Sequence, residues 1–254
     1  MSDESRRTPL IDGGAPWRAV RGALVAAQKS NRNAPAYSRW INRPLGRVFA
    51  ASAYKLGLSP NAISLISAAF TFAGIALIAA GTPSVALGLV VCAMLVVGYA
   101  LDSADGQVAR LQGGGSLAGE WLDHVLDAFK NTAFHLAVTV LWLRNPDGWP
   151  AWTLAVPLVF TLQASAWFFT MILTDLLLRN AGAKRQALAI EEGRQPIWTS
   201  LVGIPADYGF LCLVMVLLGW YPAWRWVYAL LAVANVAILA LQLVRWYRRL
   251  SALR

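Results

Sequence analysis

Six apolar runs dominate this sequence, and each is long enough to cross a lipid bilayer as a helix, which takes about 20 residues. Only 14% of the residues are charged, against about 25% in a typical soluble domain. A spanning segment must satisfy its own backbone hydrogen bonds, and no alternating pattern indicates a barrel, so helices are predicted. The predicted fold is all-α, a polytopic membrane protein with six transmembrane helices. These cover approximately residues 61–81, 85–111, 117–143, 152–178, 204–220 and 224–247.

The distribution of basic residues predicts the orientation of these spans. Nineteen of the 22 lysines and arginines fall on one side of the predicted bilayer. Arg144 and Arg225 fall on the other side, and Lys130 falls within a span. The positive-inside rule therefore predicts a multi-pass protein of the cell (inner or plasma) membrane with both termini in the cytoplasm. The net charge of +9 is explained by this bias, and no soluble module presents it to a nucleic acid.

The segment before the first span mixes aromatic, aliphatic and basic residues. Trp40 and Val48 can share one helical face while Arg39, Arg43 and Arg47 share another, which is typical of an amphipathic helix lying in the membrane interface. A plain basic linker is the alternative. The predicted division of the chain is a basic, flexible segment over 1–33, the juxtamembrane helix over 34–57, a six-helix transmembrane catalytic domain over 58–249 and a cytoplasmic tail over 250–254.

Acidic residues are rare, yet five of the 13 lie between positions 102 and 127. Asp102 and Asp105 are three residues apart and share one helix face, while Asp123 and Asp127 are four apart and share another. A short glycine-rich link makes the two helices antiparallel neighbours. The four carboxylates are therefore expected at one depth, just inside the cytoplasmic face. Ionisable residues inside a membrane are costly, so a functional role is the default interpretation.

Four hard oxygen donors are suited to Mg²⁺ or Mn²⁺, and two ions would neutralise four charges. Small residues on the same helices, Gly106, Ala109 and Gly119, would let a bulky ligand approach the backbone. Arg110 can bind a phosphate oxygen through its planar guanidinium. Divalent ions, aspartates and an arginine in a space open to lipid suggest phosphoryl chemistry on a lipid-soluble or lipid-making substrate.

The aspartates belong to a longer pattern, which reads D-x2-D-G-x2-A-R-x8-G-x3-D-x3-D from Asp102 to Asp127. This pattern resembles the signature of the CDP-alcohol phosphotransferase family at all eight fixed positions. The resemblance covers 26 residues by motif and the remainder by its six-span architecture. Its fixed positions are Asp102, Asp105, Gly106, Ala109, Arg110, Gly119, Asp123 and Asp127.

The resemblance implies a role for each motif position. Asp102, Asp105 and Asp123 would be metal ligands, and Asp127 would complete the cluster and act as the catalytic base. The nucleotide and pyrophosphate would bind at Asp105, Gly106, Ala109, Arg110 and Gly119. An acceptor alcohol would attack the phosphorus distal to cytidine, and CMP would leave. Members of the family are typically homodimers that require Mg²⁺ or Mn²⁺.

The resemblance leaves the substrates open. Most bacterial members transfer a phosphatidyl group from CDP-diacylglycerol to a small polar alcohol, which is the reading favoured here. Another branch uses CDP-choline or CDP-ethanolamine as donor, and the Gly119-Glu120 and Asp123-His124 pairs resemble that branch too. A transporter with intramembrane carboxylates is the rival from a different functional class, although the chain shows no internal repeat.

Further polar residues are candidates for the site, each with a structural role as the alternative. His124 could share the proton-accepting task, and Lys130 could balance the carboxylates or contact a phosphate. Residues at the start of the first and fifth spans could line the cavity, and the basic loop before the fifth span could bind a phosphorylated acceptor. These last candidates are Asn61, Ser64, Asp207, Lys184 and Arg185.

Overall fold

The computed structural model describes residues 10–12, 14–26, 35–182 and 203–252, and the regular structure in these ranges is entirely helical. The prediction of an all-α fold is confirmed for them. Short π- or 3₁₀-helical segments cover Ser38–Asn42, Ala151–Leu154, Ile204–Ala206 and Met215–Trp220. The α-helices are α1 (Trp17–Ala26), α2 (Arg43–Lys55), α3 (Pro60–Ala80), α4 (Val85–Leu111), α5 (Leu117–Arg144), α6 (Ala155–Asn180), α7 (Tyr208–Val214) and α8 (Tyr221–Ser251).

Three of the long helices begin at a serine N-cap. The hydroxyls of Ser59, Ser84 and Ser116 each accept a hydrogen bond from the backbone N–H three residues later. Each serine keeps an extended backbone, so it separates the helix from the preceding chain while satisfying one of the otherwise unpaired N–H groups. The starts of α3, α4 and α5 are therefore determined locally, and the short links between them force antiparallel packing.

The helices α3, α4 and α5 form an antiparallel group whose ends are joined by hydrogen bonds. Arg144 at the end of α5 donates to the carbonyl of Ala79 at the end of α3, at 2.6 Å. At the opposite end of the group, Ser64 in α3 contacts Asp105 in α4. This arrangement places the C-terminal half of α4 and the N-terminal half of α5 side by side, as the sequence predicts.

The last two α-helices form a hairpin. The 3₁₀ segment Met215–Trp220 continues α7 until Trp220, whose backbone leaves the helical region at φ −122° and ψ 68°. Asn235 in α8 donates through Nδ2 to the carbonyl of Pro205, at 2.7 Å. Since Pro205 precedes α7 and Asn235 lies well inside α8, the chain has reversed its direction between them.

Four segments of the described chain are long and apolar enough to cross a membrane, namely Pro60–Ala80, Val85–Leu111, Ala151–Asn180 and Tyr208–Ser251. The chain is therefore a membrane protein. The fourth segment has 44 residues and contains the hairpin of α7 and α8, where the sequence predicts two spans. Helix α5, predicted as a span, is not among the four because its first half carries charged residues. Six spans remain a prediction.

Two apolar cores lie at opposite ends of the molecule. The larger one fills the space between α3, α4, α5 and the α7–α8 hairpin, where Trp142, Trp224 and Tyr228 are fully buried or nearly so. The smaller one joins α1 and α2 to the C-terminal half of α4 and includes Leu24 and Val108. The carboxylates of α4 and α5 lie between these two cores.

The segment predicted to be flexible, residues 1–33, includes helix α1 among its described residues. Helix α1 buries Val20 and Leu24 against α2 and the end of α4, a docking that was not predicted. The segment predicted as a juxtamembrane helix is helical from Ser38 to Lys55 across two elements. Trp40 and Val48 are both exposed, as a membrane-interface face requires. The domain boundaries themselves stay predictions.

Candidate active site and metal centre

Three carboxylates from two helices converge between the apolar cores. Asp102 comes from α4, and Asp123 and Asp127 come from successive turns of α5. One oxygen of each lies within 4.8 Å of one oxygen of each other member. All three side chains are partly buried. We refer to Asp102, Asp123 and Asp127 as the aspartate triad.

Asp105, the fourth predicted metal ligand, is not part of this triad. Its carboxylate accepts a hydrogen bond from the Ser64 hydroxyl of α3 at 2.5 Å and lies 2.5 Å from the backbone nitrogen of Gly106. Asp105 is only 7% exposed. Helix α3 thus holds this carboxylate one turn away from Asp102. Its role as a metal ligand remains a prediction, and Ser64 is placed at the site.

Lys130 lies within the triad. Its ammonium forms an ion pair with Asp102 and a second one with Asp127, whose Oδ1 is 3.0 Å away. The residue is 6% exposed. A buried ammonium among carboxylates offsets part of the repulsion between them and part of the cost of removing the charges from water. The suggestion that Lys130 balances the carboxylates therefore agrees with these contacts.

The predicted nucleotide-binding positions lie beside the triad, where Gly106 has an open backbone surface and Gly119 is closely surrounded. A Cβ added at Gly106 would meet only Nη1 of Arg110, at 3.4 Å, and one added at Gly119 would lie 3.1 Å from Oδ1 of Asn61. The starts of α3 and α5 therefore meet here, which brings Asn61 to the site. Ala109 is buried. Nε of Arg110 is buried and has no hydrogen-bond partner among the described residues.

One cation near this position was not anticipated from the sequence. Arg43 in α2 lies close enough to Arg110 for the two positive charges to interact. Arg43 is half-buried, and this burial lowers the pKa of its guanidinium. The helical spacing of Arg39, Arg43 and Arg47 predicted one outward basic face, and the approach of Arg43 to Arg110 gave no separate signal in the sequence.

His124 faces away from the triad in its observed contacts. Its Nε2 lies 3.9 Å from Oε1 of Glu120, and its ring packs edge-on against Phe168 in α6 at 6.4 Å between centroids. Glu120 also accepts a hydrogen bond from Arg179 of α6 at 2.7 Å. Both side chains thus connect α5 to α6, and a proton-transfer role for His124 stays a prediction.

Asp207 acts as an anchor for the N-terminal segment. Its carboxylate accepts hydrogen bonds from the backbone N–H groups of Tyr37 at 2.9 Å and Gly209 at 3.1 Å. The residue is 2% exposed. These bonds explain why a carboxylate is buried at the start of α7. The suggested acceptor or metal role of Asp207 stays a prediction, and Lys184 and Arg185 lie outside the described residues.

A separate cavity of about 90 Å³ lies between α5, α6 and the α7–α8 hairpin. Its wall includes His135, Gln163 and Asn235, which are polar residues inside an otherwise apolar bundle. Nδ1 of His135 is 2.7 Å from the hydroxyl of Tyr228, and Nε2 of Gln163 donates to the carbonyl of Asn235 at 3.3 Å. Most of these polar side chains therefore form hydrogen bonds within the bundle.

The donor set of the triad fits a small divalent cation. Carboxylate oxygens are the ligands that Mg²⁺ and Mn²⁺ prefer, and no histidine or thiolate takes part in the cluster as described. Oxygens in an octahedral shell of radius about 2.1 Å are at most about 4.2 Å apart, so the observed spacing needs only small side-chain rotations. The triad could therefore hold such an ion.

Comparison with known proteins identifies the family. The family model for CDP-alcohol phosphatidyltransferases matches residues 57–247, well over half of the chain, including the triad. The chain belongs to this family. Over 91 residues it is also 38% identical to a phosphatidylinositol phosphate synthase from Corynebacterium glutamicum, an alignment covering 35% of this chain and 38% of that protein.

Membership in the CDP-alcohol phosphatidyltransferase family confirms the resemblance read from the motif. The chain is therefore a member of an enzyme family, the CDP-alcohol phosphatidyltransferases. The rival interpretation as an ion or solute transporter loses its support, because the intramembrane carboxylates are those of the family motif.

Proposed function

We propose that this enzyme transfers a phosphatidyl group from CDP-diacylglycerol to a small polar alcohol and releases CMP. The observation that carries the proposal is the aspartate triad at the ends of two helices, next to the open backbone of Gly106. A site at this position can receive a nucleotide from water and acyl chains from lipid. That access suits CDP-diacylglycerol, which has both a nucleotide and acyl chains.

A phosphorylated polyol is the first candidate for the acceptor. The relative from Corynebacterium glutamicum is a phosphatidylinositol phosphate synthase, so an inositol phosphate is the first alcohol to test. The aligned stretch spans little more than a third of either protein, and it supports the class of acceptor rather than a particular one. Lys184 and Arg185, in the basic segment after α6, are proposed to bind the acceptor phosphate.

We propose that Asp102, Asp123 and Asp127 hold Mg²⁺ or Mn²⁺, with Asp105 completing a site for two ions. Bound ions would supply positive charge that offsets the charge developing on the pyrophosphate during transfer. Ser64 orients Asp105 through their 2.5 Å hydrogen bond. The four-residue spacing directs Asp123 and Asp127 to the same side of α5, where their oxygens approach that of Asp102.

In the proposed mechanism Asp127 takes the proton from the acceptor hydroxyl. The alcohol oxygen then forms a bond to the phosphorus distal to cytidine, and the bond from that phosphorus to the bridging oxygen breaks. The electron pair leaves with CMP. Arg110, whose Nε has no protein partner among the described residues, donates hydrogen bonds to the pyrophosphate.

We further propose that six helices cross the bilayer, with both termini and the site at the cytoplasmic face, and that the enzyme is a homodimer. The antiparallel order of α3 to α6 and the α7–α8 hairpin support an even number of crossings. The 19-to-2 distribution of basic residues supports the orientation.

The test is CMP release by purified protein in detergent with CDP-diacylglycerol, Mg²⁺ or Mn²⁺ and a panel of alcohols that includes inositol phosphate. We expect CMP with at least one alcohol and none in excess chelator. Asp127→Asn should lower the rate by at least about 100-fold, the scale of a lost general base, while the protein stays folded. Asp147→Asn, at an exposed turn position with φ 50°, is the matched control.

A second candidate is the transfer of phosphocholine or phosphoethanolamine from the CDP-alcohol to diacylglycerol. The Gly119-Glu120 and Asp123-His124 pairs favour it, although Glu120 and His124 contact α6 rather than the triad. The same assay decides between them when the donor is exchanged for CDP-choline or CDP-ethanolamine. CMP release with these donors and diacylglycerol, but not with CDP-diacylglycerol, would overturn the first proposal.

A further inference from the structure

We propose that Lys130 is an internal competitor of the divalent cation, because its ammonium and the ion need the same carboxylates. This inference rests on the proposed metal role of the triad. It adds that metal binding must displace the Lys130 ammonium from Asp102 and Asp127. Lys130 thereby sets the affinity of the site for the ion.

The contacts of Lys130 carry the inference. Its ammonium pairs with Asp102 on the neighbouring helix and with Asp127 one turn earlier on its own helix. These are two of the three residues whose oxygens approach within 4.8 Å of one another. The ammonium therefore bridges α4 and α5 at the place where a cation held by both helices would lie.

The positive charge and the burial of Lys130 prevent its ammonium and a divalent ion from occupying the triad at the same time. Lys130 is only 6% exposed, so little water screens the repulsion between its ammonium and a divalent ion a few ångströms away. A carboxylate that donates electron density to a metal ion is also a poorer acceptor for the ammonium. The lysine ammonium stands on a flexible four-carbon stem, so a change of side-chain rotamer is the movement that would separate it from the triad.

The arrangement has a structural consequence. Without a cation, three carboxylates this close would repel one another and push α4 and α5 apart. Lys130 holds Asp102 and Asp127 together, so the ligands are already gathered when an ion arrives. A lysine with a purely structural role would keep its ion pairs during metal binding, and its removal would change stability but not metal affinity.

The test measures Mn²⁺ binding by the loss of the free-ion electron paramagnetic resonance signal, on full-length protein in detergent without nucleotide. Lys130→Met retains the side-chain length without the charge. We expect its Kd for Mn²⁺ to be at least about tenfold lower than that of the wild type, since tenfold corresponds to a modest change in interaction energy. Lys55→Met, which removes an exposed charge on α2, should leave the Kd unchanged.

Thermal unfolding gives a second readout. In chelator, Lys130→Met should melt at a lower temperature than the wild type, and saturating Mn²⁺ should raise its melting temperature by more than it raises that of the wild type. Lys130→Gln serves the same purpose if the methionine variant does not fold. An Mn²⁺ affinity that is equal to or weaker than the wild-type value in both variants would overturn the inference.

The two proposals fail in different ways. If the wild type binds Mn²⁺, Asp123→Asn loses that binding and Lys130→Met binds as the wild type does, only the competition is wrong. If neither the wild type nor Lys130→Met binds Mn²⁺, the triad is not a metal site and the proposed mechanism is overturned together with the competition.

Discussion

At the scale of single residues, the most deeply buried charge among the described residues belongs to Arg225 in α8. It is 0% exposed, and its guanidinium donates to the carbonyl oxygens of Asn145 and Pro146 in the α5–α6 link. The same group lies 4.1 Å from the ring centroid of Tyr221 and 5.3 Å from that of Trp142. The sequence assigned this arginine to the less basic side of the membrane without indicating that it would be enclosed.

We expect Arg225→Leu to lower the free energy of unfolding by about 2–4 kcal/mol, because two carbonyl groups lose a charged donor and a cation–π cluster loses its cation. Denaturation of the purified protein in detergent measures this change. Arg248→Leu removes an exposed arginine from the same helix and should stay within about 0.5 kcal/mol. Equal effects of the two substitutions on the free energy of unfolding would show that the enclosure of Arg225 does not stabilise the protein.

At the scale of elements, small residues determine how closely α4 approaches its neighbours. A Cβ added at Gly98 in α4 would collide with the hydroxyl of Thr71 in α3 and would lie 3.2 Å from the carbonyl of Ser67. That carbonyl belongs to a residue whose own hydroxyl donates to Gly98 at 2.8 Å. The two helices therefore pack backbone to backbone, as small residues allow inside membranes.

Gly98→Ala should destabilise the protein by about 1–3 kcal/mol, since α3 and α4 must move apart or Thr71 must leave its rotamer. The measurement is the melting temperature in detergent together with CMP release. Gly22→Ala in α1 is the matched control, because a Cβ there meets nothing within 4 Å and alanine favours a helix by up to about 1 kcal/mol. A stabilising effect of Gly98→Ala would contradict the observed close approach.

At the scale of the whole molecule, the side of the membrane on which the site lies depends on how many helices cross the membrane. Helix α5 carries two of the three triad aspartates together with Glu120 and Lys130, and these charges lower its hydropathy below that of its neighbours. In its first half only Lys130 is buried, Asp123 and Asp127 are partly buried, and Trp121 and Phe129 are exposed. Hydropathy calculated for one helix at a time underestimates how well such a helix can span the membrane, because the membrane accepts charged residues that face a protein interior.

Six crossings predict which links lie on each side of the membrane. In a variant with Cys92→Ser and Cys212→Ser, a single cysteine at Asp147 or Pro222 should react with an impermeant thiol reagent in intact cells. A cysteine at Gly115 should react only after the membrane is opened. Labelling of the Gly115 position in intact cells, or protection of the Pro222 position, would rule out the proposed topology.

Much of the site was predictable because it is encoded within short stretches of chain. Three- and four-residue spacings put Asp102 with Asp105 and Asp123 with Asp127 on one helix face each, and the short link between the helices predicted that the two pairs meet. Local chemistry also indicates the class of ion, since four carboxylates attract hard cations. The family motif and the apolar runs are likewise properties of the linear chain.

Tertiary structure decided the partner of each polar group. Asp105 shares a helix face with Asp102, yet it bonds to Ser64 of α3, and Asp207 receives backbone N–H groups from a segment about 170 residues earlier in the chain. Lys130 was expected near Asp127, but its bridge to Asp102 depends on the packing of α4 against α5. Contacts between distant segments depend on helix rotation and side-chain rotamers. Helical periodicity does not specify these, so the sequence alone determined the composition of the site and the fold determined its pairings.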